Sequence, residues 1–153
     1  MTALEIMERC RAAETDKRAV SNKIQRYRES AERITSAIGG IGARSTSEPD
    51  KLAAIMGEID ELERMIGRRG REYAAELAAA NKLLDRLPEM ECRVLDKFYL
   101  RGMSLAAIAR DLSYSYGYIR SVKVAGCRCL EEIPESDVRQ LLPKWYATQK
   151  RQR

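Results

Sequence analysis

The sequence predicts an all-α protein: a long antiparallel, coiled-coil-like helical hairpin followed by a compact helix-turn-helix domain. Three observations predict it. The 153 residues hold one Phe, one Trp and four Pro, and Ala, Leu, Ile, Glu, Arg and Lys dominate, a composition that favours helices. Over two long stretches of the first half, apolar residues step by threes and fours. After Pro88 the pattern shortens into brief apolar runs separated by Gly- and Ser-containing turns. This length suits one domain, or a small domain on a helical stalk, and can bury a real core.

The first element is a helix over residues 2 to about 38. Ala3, Ile6, Cys10, Ala13, Lys17, Val20, Ile24, Tyr27, Ala31, Ile34 and Ile38 form a heptad seam. The seam is weak at its start, where residues are small or charged, and stronger from Val20 on. Residues 39 to 49, GGIGARSTSEP, break it, because glycines, a Ser/Thr cluster and a proline do not continue a helix. Asp50 is placed to cap the next one.

The second helix is expected from about 51 to 86. Leu52, Ile55, Ile59, Leu62, Ile66, Arg69 and Tyr73 continue the three-four steps, and Leu77, Ala80, Leu84 and Leu87 follow a stutter. Gly67 and Gly70, between basic residues, mark a point where it could kink. Residues 1–86 therefore form the hairpin, which folds on itself or pairs with a second chain. Residues 87–134 form the helix-turn-helix domain, and 135–153 a short helix with a basic tail.

In the second half, Pro88 suits a helix start, and Glu89 and Glu91 suit its positive end. Met90, Val94, Leu95 and Phe98 make an apolar face. A turn follows at Arg101-Gly102-Met103. Ser104 caps the short helix LAAIARDL, Ser113-Tyr114 make the next turn, and Ser115 caps a longer helix ending near Pro134. Ile119, Val122, Gly126 and Leu130 then pack that helix down. Tyr116, Gly117, Tyr118, Arg120, Ser121, Lys123 and Val124 are left exposed. From Ser113 to Leu130 there are three basic residues, Arg120, Lys123 and Arg128, and no acid. A helix with that face can approach phosphates without repulsion. The net charge of +5 and a pI near 9.1 lean the same way.

The run from Leu87 to Val122 resembles region 4 of sigma-70 factors. Its members are Leu87, Glu91, Val94, Leu95, Tyr99, Ser104, Leu105, Ile108, Ala109, Leu112, Ser115, Ile119, Arg120 and Val122. The wider layout is similar to small phage-encoded transcriptional regulators of the RinA/ArpU kind. The resemblance implies a sigma factor-like regulator that binds double-stranded DNA and activates phage late genes with host RNA polymerase. It also implies that the helix after Ser115 enters the major groove. By position, Tyr116, Gly117 and Ser121 then stand where sigma factors read the −35 element, and Arg120 at a backbone-contacting place. Sigma factors typically carry Arg, Glu and Gln at the reading positions. Tyr, Gly and Ser here imply a different target sequence. The DNA-binding set is thus Ser115, Tyr116, Gly117, Tyr118, Arg120, Ser121, Lys123 and Arg128. A homodimer through the N-terminal helices is a further expectation.

Other classes are less well served. The chain has no His, which removes the commonest general base and metal ligand. Its cysteines, Cys10, Cys92, Cys127 and Cys129, read as buried apolar thiols of a reducing compartment. Cys127 and Cys129, two apart on one helix, point to different faces and do not chelate one ion. No nucleophile-base pair, phosphate loop or metal cluster is legible, so neither an enzyme nor a cofactor is expected. The segment MTALEIMERC holds no apolar run and no stretch has the length of a membrane span, so a cytoplasmic protein is expected. The rival readings are a phage DNA-packaging protein of the small terminase type and a coiled-coil adaptor that does not bind DNA.

Overall fold

A computed structural model of the protein describes residues 1–39 and 47–149. Among the described residues there are seven α-helices and no strand: α1 (Ala3–Ile38), α2 (Ser47–Leu84), α3 (Glu89–Leu95), α4 (Leu105–Leu112), α5 (Tyr116–Glu131), α6 (Glu135–Leu141) and α7 (Lys144–Gln149). The long N-terminal helix packs against the second long helix. No helix among these residues is long and apolar enough to cross a membrane.

The chain divides into two compact units. One comprises Met1–Thr15 with Arg71–Arg153, the other Asp16–Gly70. One boundary between the units lies next to Gly70, in the glycine-bearing stretch of α2, which stays helical throughout.

In the Asp16–Gly70 unit, Ile24, Ile59 and Leu62 are buried, and Val20, Tyr27, Ile55 and Ile66 pack around them. These are the seam residues that the spacing predicts. The ion pairs Asp16–Arg69 (3.5 Å) and Arg28–Glu63 (2.9 Å) join residues in opposite chain order. Both are exposed, and such pairs contribute little to stability. Most of the expected break at 39–49 lies outside the described residues. Residues 47–49 belong to α2, so Asp50 stands inside the helix rather than capping it. Pro49 fits a first turn, where its missing N–H has no intrahelical role.

The other unit holds the main core. Ala3, Ile6, Met7 and Cys10 of α1 are fully buried among Ala79, Ala80, Leu83, Leu95, Leu130 and Val138. The seam is therefore best buried where the spacing made it look weakest. Small residues are what a helix needs when it is surrounded by several neighbours. Burial and the nearby Glu76 carboxylate push the Cys10 thiol up to about 12. Glu76 is the buried charged side chain among the described residues. It takes a hydrogen bond from Arg9 (3.2 Å) and a short one from the Tyr146 hydroxyl, while Arg9 also donates to Tyr146 Oη at 3.0 Å. A buried carboxylate without such partners would be costly. This cluster ties α7 to α1 and α2. The guanidinium of Arg71 covers the Trp145 ring at 4.8 Å.

Two further differences from the sequence expectation concern short elements. The helix begun at Pro88 does not run evenly to Leu100. It widens into a π-helical turn at Asp96–Leu100, closed by Arg101 N–H on the Asp96 carbonyl at 3.1 Å. Such turns insert one residue into the helical register. Leu95 and Tyr99 thereby enter the main core, while Val94 faces a second cluster with Ile108, Ala109, Ile119 and Val122. The C-terminal stretch holds two short helices rather than one, α6 and α7, separated at Leu142-Pro143.

Candidate nucleic-acid interface

The site is built on α4, the turn 113–115 and α5. Ser104 caps α4, its Oγ accepting the Ala107 N–H at 3.1 Å. Ser115 caps α5 in the same way, from Tyr118 N–H at 3.2 Å. Both caps are the ones the sequence predicts, and each satisfies a backbone donor that the helix start leaves open. Between them Ser113 takes the left-handed conformation (φ 59°, ψ 40°). Its N–H reaches the Arg110 carbonyl (3.4 Å), and the Tyr114 N–H reaches Ala109 (3.0 Å). That pair of bonds is a Schellman motif, which stops α4 sharply and turns the chain into α5.

The inner face of α5 is Ile119, Val122, Gly126 and Leu130, all buried, the four positions that the spacing assigns to packing. Gly126 lets α3 come close. A Cβ there would lie 2.8 Å from Leu95 Cδ1 and 3.3 Å from Glu91 Cβ. At about 100° per residue, Gly117, Ser121, Val124 and Arg128 fall opposite Gly126 and form an outward stripe. All four are exposed. Apart from its chain neighbours and the backbone of its own helix, no atom stands within 4 Å of where a Gly117 Cβ would be.

Each predicted site residue has a definite place. Ser115 is the exposed cap. Tyr116 is 53% exposed at the first position of α5, whereas Tyr118 leans on Tyr114 with ring centroids 4.8 Å apart. Arg120 and Arg128 are exposed. Ser121 donates its hydroxyl to the Gly117 carbonyl one turn back, at 3.0 Å. Lys123 differs from its expected exposure: it is half-buried, with its ammonium over the Phe98 ring at 4.4 Å and near Tyr99 at 5.9 Å. Arg11 covers the same Phe98 ring at 3.8 Å and donates to the Phe98 and Met103 carbonyls. Val124 was among the predicted exposed positions but not in the site set. Its place beside Gly117 and Ser121 is legible from the 3.6-residue period.

The electrostatics favour an anion. No acid occurs from Tyr116 to Leu130. On α4, Asp111 is held by Lys97 at 2.7 Å. The hydrogen bond and charge of that lysine keep its carboxyl below the usual carboxylate range. Among the described residues no group of three or more His, Cys, Asp or Glu is gathered to hold a metal ion. No protein-family model matches the sequence, and no curated protein and no solved structure matches it either.

Proposed function

We propose that the protein is a sequence-specific, sigma factor-like DNA-binding regulator of transcription, whose α4–turn–α5 segment acts as a helix-turn-helix of the sigma region 4 type. In this reading α5 lies in the major groove. Tyr116, Gly117 and Ser121 face base edges. Arg120 and Arg128 hold phosphates, and Lys123 adds a third contact by swinging off Phe98. The two long helices form an antiparallel hairpin that supplies the homodimer contact. Following the resemblance in the sequence, the regulated genes are phage late genes and the second partner is host RNA polymerase. The observation that carries the proposal is the two-sidedness of α5. Ile119, Val122, Gly126 and Leu130 are buried, and the opposite side is exposed, contains Arg120 and Arg128, and has no acid.

The test is duplex binding by the full chain across a series of salt concentrations, with a footprint taken with and without core RNA polymerase. Each phosphate contact contributes about 0.9 to the slope of log K against log salt. Arg120→Ala is expected to weaken binding to all sequences alike and to lower the slope by about one. A protein that binds no duplex at low salt, alone or with polymerase, refutes the proposal. A slope unchanged in Arg120→Ala refutes the phosphate role of that residue.

A further inference from the structure

We propose that the outward stripe of α5 selects A·T pairs, with Val124 against a thymine methyl group and Ser121 Oγ accepting from adenine N6. This rests on the duplex-binding reading and adds the base class that the site takes. The hydroxyl of Ser121 already donates to the Gly117 carbonyl at 3.0 Å, a back-bond along its own helix. A serine hydroxyl has one proton and two lone pairs, so what Ser121 presents outward is acceptance. To donate to a base it would have to give up the helix bond. In the major groove the donors that meet an acceptor are adenine N6 and cytosine N4.

Val124 decides between them. Its isopropyl group is 44% exposed on the same stripe, an apolar group on a face otherwise polar and basic. The thymine C5-methyl is the apolar group on the major-groove edge. Tyr116, 53% exposed, lies about 110° round the helix from the stripe, on the Arg120 flank, and Tyr114 and Tyr118 rest on each other. An acceptor beside an apolar group matches adenine and thymine on one pair or on adjacent pairs, whereas a C·G pair has no methyl to meet Val124. A guanine would need a donor fork. Arg120 has one but lies roughly 70° round the helix from the stripe, toward the flank, and Arg128, on the stripe, has one about 10 Å along the axis from Ser121, beyond the N-terminal part of a recognition helix that meets base edges. No Asn, Gln, Asp or Glu occurs from Tyr116 to Leu130 to read a base by another pairing.

The experiment selects duplexes from a random library with the full chain, then replaces each thymine of the chosen site by uracil and each adenine by purine, which lacks the N6 amino group. The methyl is the only group lost on going to uracil. One substitution at a contacted thymine is expected to weaken binding about fourfold, the value of one buried methyl group. Val124→Ala is expected to abolish that penalty at one thymine, and Ser121→Ala to abolish the purine penalty at one adenine. Both side chains are exposed, so both variants keep their fold. Selected sites that bind tightly yet show no uracil penalty, or penalties that persist in Val124→Ala and Ser121→Ala, overturn the inference and leave duplex binding standing. A library from which nothing is selected overturns both.

Discussion

The two compact units use the same sequence device and reach different results. Both contain stretches of α1 and α2 with apolar residues at three-four spacing. In the Met1–Thr15 and Arg71–Arg153 unit, Ile6, Leu83, Leu95, Ile108, Ile119 and Leu130 are fully buried. Among the described residues of the Asp16–Gly70 unit the best-covered side chains are Ile59 (4%), Ile24 (7%) and Leu62 (8%). Periodicity reports that a helix has an apolar stripe, not how many neighbours cover it. Two helices share a single seam, whereas a helix among several partners is enclosed.

Core truncation gives the largest expected effect and the most direct way to break this comparison. Leu83→Ala removes a fully buried side chain and should cost about 2–5 kcal/mol, the range for cavities that cannot collapse. Ile59→Ala should cost less, because its surroundings lie next to solvent and relax. Amides of residues 16–38 and 47–70 should also exchange faster than those of 79–84 and 119–130, since few buried contacts hold them. Urea unfolding with hydrogen exchange reads both. Equal costs and equal protection would mean that the second unit is as well enclosed as the first.

The same contrast explains what the sequence made legible. The inner face of α5, the Ser104 and Ser115 caps and the Ile24–Ile59–Leu62 seam are all local or periodic signals, and each is where the spacing put it. Features that need a third partner were not legible. Met7 lies off the heptad seam of α1 but is fully buried in the main core. Glu76 reads as a surface acid until Arg9 and Tyr146, distant in the chain, close on it. Lys123 reads as a free cation until Phe98 comes beneath it. The π-helical turn at Asp96–Leu100 carries no composition signal, because it answers to two clusters that Val94 and Leu95 enter separately.

Alkaline pH should separate the units by a smaller margin. Burial first, then Glu76, raises the Cys10 thiol from 9.0 to about 12. Burial and Glu76 likewise raise the Tyr146 phenol from 10.0 to about 12. Cys92, Tyr73 and Tyr99 move in the same direction, mainly through burial. The folded state therefore keeps protons that the unfolded chain releases above pH 9. Stability is full below that pH and falls as pH rises from about 9 toward 12. All of these groups lie in the first unit, and the Asp16–Gly70 unit has no cysteine. Urea midpoints measured between pH 8 and 11 should decline for the first unit, and Cys10→Ala should flatten the decline. A flat profile in the unaltered protein would show that Cys10 titrates as freely folded as unfolded.

Within α5 the comparison sharpens to two glycines on opposite faces. An Ala Cβ at position 126 would meet Leu95 Cδ1 at 2.8 Å and Cγ at 3.1 Å. Leu95 is fully buried and has nowhere to retreat. The overpacking cost of about 1–3 kcal/mol therefore exceeds the roughly 1 kcal/mol that Ala gains over Gly in a helix. Gly126→Ala should lower the melting temperature and open the α3–α5 contact. At Gly117 nothing beyond the chain neighbours and the helix's own backbone stands within 4 Å, so Gly117→Ala keeps the helix gain, at most about 1 kcal/mol in this first turn, and should raise the melting temperature slightly. On the proposed function the same methyl projects toward the groove, so duplex affinity should fall as stability rises. If Gly117→Ala gained stability and bound duplex unchanged, the outward stripe would have to approach DNA somewhere beyond the first turn of α5.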